Sequence, residues 1–178
     1  IVHYRATKNK TKFLKKDEIF LCDSGGQYKF GTTDVTRTIC FSNQNKNVKR
    51  IFTNVLKGHI AVVEANINKK TTGKLIDKEA RKFLKKDGLD YNHGTGHGVG
   101  FFLNVHEGPQ AISKSNSVKI QEGMILSNEP GYYKKGKFGI RIENLVYVNK
   151  IKGKLFFKNL TLVPIDKDLI NFKLLTDK

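Results

Sequence analysis

Residues 93 to 100 read HGTGHGVG, with glycine at every even position and two histidines four residues apart. This alternation constrains the fold more than any other feature of the chain. A helix would place His93 and His97 on one face. It would also carry Gly94, Gly96, Gly98 and Gly100 in its interior, at about 1 kcal/mol each. An extended segment has no such conflict: His93, Thr95, His97 and Val99 share one side, and the glycines leave the other bare for close approach of a second backbone. In that conformation His93 and His97 stand roughly 13 Å apart at about 3.3 Å per residue, so they cannot bind the same ion.

The flanking segments alternate in character. IFLCD (19 to 23) is a nearly continuous apolar run and reads as a buried strand. GQYKFGTTDVTRTICF reads as a hairpin turning at Gly31 and the two threonines. The stretch 48 to 67 spaces Ile51, Val55, His59 or Ile60, and Val62 or Val63 at helical intervals. KLIDKEARKFLKKDG predicts a second helix closed by Gly88. From residue 93 on, strands are expected in HGVGFFLNVH, GMILSNEPG, FGIRIENLVYV and LFFKNLTLVP. A chain of 178 residues that is 38% hydrophobic fits one α+β domain, with no repeats and no dividing linker.

Cys22 and Cys40 fall in apolar runs and are expected as small buried hydrophobes, not as a disulfide framework. No run approaches membrane-spanning length and the first residues lack signal-peptide order, so a cytoplasmic setting is expected. A net charge of +17 invites a nucleic-acid reading, but only five of the 33 basic residues are arginine and the lysines are scattered along the whole chain. A solvated, lysine-rich surface is the better account, and nucleic acid is not an expected partner.

Four acids stand in surroundings that look too apolar for them: Asp23 ends IFLC, Asp34 opens DVTRTICF, Glu129 follows GMILSN, and Glu143 interrupts GIRIENLVYV. Buried carboxylates are costly without a cation. Four of them together with a glycine-flanked His97 are the oxygen-rich set, with one imidazole, that a hard or borderline pair of divalent metals demands.

The motifs IVHY, DSGGQYKFGTTDVTRT, VLKGHIAV, GLDYNHGTGHGVG, FLNVHEGP, NEPGYY and FGIRIEN, in that order, resemble the catalytic domain of the pita-bread metallopeptidases. Of that family, eukaryotic cytosolic Xaa-Pro aminopeptidases are the closest in wording. The resemblance runs from about residue 1 to about residue 165. It implies a curved mixed or antiparallel sheet with helices on its outer face. It also implies that residues 1–178 cover roughly the last two thirds of the catalytic domain, the amino-terminal part being absent.

Carried over residue by residue, the resemblance implies metal ligands at Asp23, Asp34, His97, Glu129 and Glu143. Asp34 and Glu143 would bridge two ions, Asp23 would complete one site, and His97 with Glu129 the other. Manganese is the metal implied, and a metal-activated water or hydroxide would attack the Xaa-Pro peptide bond of a substrate with proline second. His3, His93 and His106 match histidines that line the substrate pocket, orient the peptide and handle protons. Tyr133 resembles a pocket tyrosine, and Arg141 is placed to hold a ligating carboxylate. His59, in a helical run, is expected to pack with one satisfied hydrogen bond, and Arg37, on the face opposite Asp34, is expected to be structural. A homodimer is the assembly common in the family. Two alternatives remain open: a prolidase acting on Xaa-Pro dipeptides, and a non-catalytic module of the same shape binding acidic protein or nucleic acid. If parts of the pocket lie outside the chain, metal binding is expected to survive while turnover is weak or absent.

Overall fold

A computed structural model describes residues 4, 7–9, 11–101 and 104–175. The first two strands, β1 (Ile19–Tyr28) and β2 (Gly31–Cys40), form a long antiparallel hairpin in which Asp23 pairs with Thr36 and Gly25 with Asp34. The turn lies at Lys29 and Phe30, ahead of the predicted position. Gly31 and both threonines already belong to β2, where β-branched residues pack on the pleated surface. The IFLCD run is not buried as expected. Its first three residues are half-buried and Cys22 and Asp23 are exposed, because β1 pairs only with β2 among the described residues. Cys22 is therefore not the buried thiol of the sequence reading; Cys40 is half-buried, and burial beside Asp166 pushes its thiol up to about 11.

Helix α1 (Lys46–Val63) begins where the Asn45 side chain accepts from the Val48 N–H at 3.0 Å. Its buried residues include Val48, Ile51, Phe52, Val55, Leu56, His59 and Val62, one face at helical spacing. Helix α2 (Gly73–Lys86) ends two residues before Gly88, whose φ of 68° reverses the chain. The two helices pack on one another, and α1 also lies against later strands.

The rest of the chain is strand-rich: β3 (Gly96–His97), β4 (Ala111–Ile112), β5 (Ile125–Asn128), β6 (Gly131–Lys134), β7 (Phe138–Arg141), β8 (Asn144–Ile151) and β9 (Lys154–Asn159). All described pairings are antiparallel and form four small sheets: β1-β2, β3-β4, β5-β8-β9 and β6-β7. One apolar cluster joins α1 to Leu84, Ile140, Ile142 and Leu169. Another joins Val62, Ile76 and Ala80 to Leu126, Val146, Val148 and Phe157.

Of the strand expected over HGVGFFLNVH, only His97, joined in β3 to the preceding Gly96, is in a strand among the described residues. Beyond His97 the backbone doubles back: Gly98 N–H donates to Gln110 O at 3.0 Å, and Glu107 N–H donates to Gly98 O at 2.8 Å. A Cβ on Gly98 would lie 2.0 Å from Glu107 O, so the missing side chain lets the segment at Glu107 pack against this backbone, while Gly98 itself bridges Leu126.

His59 is buried in α1 as expected, and its Nε2 has no hydrogen-bond partner among the described residues. Burial, with a smaller contribution from the Arg37 charge, lowers its pKa to about 3. A histidine depressed in the folded state stays neutral there while the unfolded chain takes up a proton below about pH 6.5. The stability gained from a neutral His59 is therefore full above pH 6.5 and falls as pH drops toward 3. Relative to His59→Gln, the wild-type chain should lose about 2 kcal/mol of unfolding free energy between pH 7 and pH 5 in urea melts. Parallel pH profiles for the two proteins would contradict this origin of the acid sensitivity.

Candidate metal centre

The hairpin register places Asp23 and Asp34 on one face of the β1-β2 ribbon, two residue pairs apart along the ladder, with Thr36 directly opposite Asp23. Thr36 is fully buried; its hydroxyl donates to Glu143 Oε2 at 2.7 Å, and the Glu143 N–H donates to Thr36 O at 3.1 Å. Glu143 lies in the break between β7 and β8, as its interruption of an apolar run foretold, and is 2% exposed. Glu129 follows β5, where alternation puts Ser127 beside it. The Ser127 hydroxyl donates to Glu129 Oε1 at 2.8 Å and accepts the His97 N–H at 2.9 Å.

Strand β3 can approach β5 this closely because residue 96 has no side chain: a Cβ on Gly96 would sit 1.9 Å from Ser127 O. His97 Nδ1 faces Gly98 O at 2.9 Å, and a carbonyl only accepts, so Nδ1 carries the proton. The Nε2 lone pair then points at Asp34 Oδ2 and Glu129 Oε1, each 3.4 Å away. All five side chains line one cleft of about 260 Å³, together with His93, His106, Arg141, Gly94 and Gly96. Among the described residues, ligand atoms of Asp23, Asp34 and Glu143 lie within 4.8 Å of one another, and so do those of His97, Glu129 and Glu143. Asp34, His97 and His106 form a further such group.

Burial is the largest influence on Glu143, and Glu129 and Asp34 add to it; despite the Thr36 hydrogen bond its carboxyl is pushed up to about 8. Glu129 is likewise raised, first by burial, although His97, Ser127 and Arg141 pull the other way. Burial opposes a charge on His97, but Asp34, the Gly98 carbonyl, Glu129 and Glu143 outweigh it and hold the imidazole above its usual value. This is a crowd of hard oxygen donors with one correctly turned imidazole, the donor set that suits divalent cations.

Arg141 reaches the cleft from β7. Its Nη2 donates to Asp23 Oδ2 at 2.5 Å, its Nε to Thr36 Oγ1 at 3.1 Å and its Nη1 to Tyr133 OH at 2.9 Å. His93 Nδ1 faces Gly94 O at 2.7 Å and so is protonated, leaving Nε2 to accept from Tyr133 OH at 2.8 Å. The Tyr133 hydroxyl thus accepts a hydrogen bond from Arg141 and donates one to His93. The His106 ring, exposed, lies 4.0 Å from that of His97. His3 lies outside the described residues. Asp23, expected to be buried, has a side chain 44% exposed, because β1 is the outer strand of its ladder.

Arg37 is buried on the opposite face, where it donates to Glu143 O at 2.6 Å, Thr36 O at 2.8 Å, Val163 O at 2.6 Å and Pro164 O at 3.0 Å. It locks the backbone that carries Glu143 from behind. Sequence reasoning did not single out Thr36 or Ser127. Both lie two residues from a ligand candidate on a strand, and that spacing was the available signal.

Carboxylates and an imidazole converging in one cleft of this α+β frame define a candidate divalent-metal centre. The model of metallopeptidase family M24 matches residues 1–150, and the chain belongs to that family. It is 51% identical over 189 residues to a probable Xaa-Pro aminopeptidase P of Laccaria bicolor, covering 100% of this chain and 29% of that protein. The corresponding protein of Coprinopsis cinerea is 50% identical, with 99% and 30% covered. Among solved structures, an X-prolyl aminopeptidase from Caenorhabditis elegans, described as a cytosolic enzyme with a di-nuclear active site, superposes with a TM-score of 0.91 at 41% identity, covering 98% of this chain and 30% of that one. A prolidase from Pyrococcus furiosus gives 0.77 at 31% identity, with 86% and 44% covered. The fold is thus the pita-bread α+β fold of the family. The chain spans about 30% of the length of the curated relatives it matches.

The contact at residue 96 carries a direct expectation. Gly96→Ala should destabilise the chain by about 3 kcal/mol, since a backbone carbonyl cannot swing aside as a side chain can. Gly31→Ala, whose Cβ would meet nothing within 4 Å, should cost under about 0.5 kcal/mol. Comparable urea midpoints for the two variants would show that β3 and β5 are not held at this distance.

Proposed function

We propose that the cleft holds two divalent cations, most fittingly Mn²⁺, and that the chain is the carboxy-terminal catalytic part of a Xaa-Pro aminopeptidase. The observation that carries this reading is the sharing of Glu143 between two ligand groups, Asp23 with Asp34 on one side and His97 with Glu129 on the other. Asp34, 3.4 Å from His97, stands where a second bridge belongs. Support comes also from the relatives' names and from the description of the nematode enzyme. When bound, such a pair of ions supplies Lewis acidity to a hydrolytic water and to the peptide carbonyl.

The chain's own residues do the rest. Arg141 orients Asp23 and braces Thr36, which in turn fixes Glu143. Ser127 aligns Glu129 with His97. Tyr133 and His93 form a hydrogen-bonded pair at the cleft wall, positioned to orient a peptide, and His106 at the exposed side is placed for proton transfer. His3 joins them in this proposal on the sequence resemblance alone. A proline at the second position and a cytoplasmic setting are taken from the relatives, and a homodimer is the candidate assembly. No helix among the described residues is long and apolar enough to cross a membrane.

Calorimetric titration with Mn²⁺ should show binding to the wild-type chain. Asp34→Asn should lower the affinity by at least about 10-fold, since it removes charge from a candidate bridge. Hydrolysis of Arg-Pro-Pro by the chain alone should be weak beside that of the full-length enzyme. Absence of Mn²⁺ binding by the wild type, or unchanged affinity in the variant, would remove the basis for the assignment.

A further inference from the structure

Behind the cleft, α2 carries a buried cation for which the proposed chemistry has no use. Arg81 is 2% exposed, and its guanidinium lies 3.9 Å from the Tyr91 ring centroid. Its Nε donates to Asp77 Oδ2 at 2.8 Å, its Nη1 to Asp90 Oδ1 and Tyr91 O at 2.7 Å, and its Nη2 to His93 O at 2.7 Å. The helix has an apolar face of its own, Ile76, Ala80 and Leu84, to hold it in the core. What the guanidinium adds is a grip on the connection between α2 and β3, on the carbonyls of residues 91 and 93.

A second limb starts from the same ion pair. Thr95 Oγ1 donates to Asp77 Oδ1 at 2.7 Å, so the Tyr91 hydroxyl, 2.5 Å from Thr95 Oγ1, must be the donor in that contact. Thr95 is fully buried, and its carbonyl accepts the Glu129 N–H at 2.7 Å. One planar fork therefore fixes the backbone at His93 directly and that at Glu129 through Asp77 and Thr95. A lysine at the same place could not reach four acceptors in one plane.

We infer that Arg81 is a positioning residue that sets His93 and Glu129 in mutual register across the cleft. Its consequence for metal binding rests on the function proposed above, whereas the effect on His93 does not. The test compares the wild-type chain with Arg81→Lys and Tyr91→Phe by thermal melting, by imidazole NMR of the metal-free proteins, and by Mn²⁺ calorimetry. In cooperatively melting Arg81→Lys the His93 ring resonances should move as its bond to Tyr133 is disturbed, and Mn²⁺ affinity should fall about 10-fold. Tyr91→Phe keeps the ring against Arg81 but removes the hydrogen bond that the Thr95 hydroxyl accepts, leaving that hydroxyl held by Asp77, so it should lower Mn²⁺ affinity several-fold with a smaller change at His93. A folded Arg81→Lys with unaltered His93 resonances and Mn²⁺ affinity overturns the inference. Should that variant fail to fold, Tyr91→Phe decides: unchanged affinity and resonances overturn it, and the expected losses support it. A wild-type chain that binds no Mn²⁺ sinks the proposed function, and the His93 resonances alone then judge the positioning role.

Discussion

Four carboxylates drawn into one small cleft repel each other and lose hydration, and the architecture is organised around offsetting that cost. Glu143 shows the strain most plainly. It is buried, faces Glu129 and Asp34, and its carboxyl is driven to about 8 even with Thr36 donating to it. Arg141 supplies the nearest permanent positive charge, bonded to Asp23 and within 4.0 Å of Glu129. One guanidinium against four acids leaves negative charge uncompensated. A pair of divalent cations is the chemically economical answer.

Holding that arrangement requires rigid backbone from every side, and two hydroxyls, each two residues from a ligand candidate on its own strand, brace the buried glutamates. Thr36 braces Glu143 and lies on the face of Asp34; Ser127 braces Glu129 and receives His97. Two buried arginines work on the main chain instead. Arg37 grips the carbonyls of Thr36 and Glu143 from the far face, and Arg81 those of Tyr91 and His93 from the helix side. Backbone carbonyls in such bends lack ladder partners, and a fork with five donors satisfies several at once.

Much of this was legible in the chain. Both helices were legible, in the apolar spacing of 48 to 67 and in KLIDKEARKFLKKDG closed by Gly88, because those signals are local; the Asn45 cap that starts the first was not read. The five ligand candidates stood out as acids and an imidazole where apolar or glycine residues surround them. Less legible were features that depend on what lies across the gap. IFLCD reads as a buried strand, yet burial depends on a second neighbour, and β1 has none among the described residues. HGVGFFLNVH reads as a strand, yet among its described residues only His97 lies in one, and the segment at Glu107 packs where a Gly98 side chain would be.

The amino-acid sequence by itself determined which groups are available for chemistry and where the chain bends, since residue type, glycine placement and periodicity act over a few residues. Only the tertiary structure decided that Asp23, Asp34, His97, Glu129 and Glu143 meet, which nitrogen of His97 faces the acids, and that Arg37 and Arg81 hold the bends in place. Those outcomes depend on contacts between residues separated by as many as about a hundred positions. No local preference encodes such contacts; they follow from packing two helices and four small antiparallel sheets around shared apolar clusters.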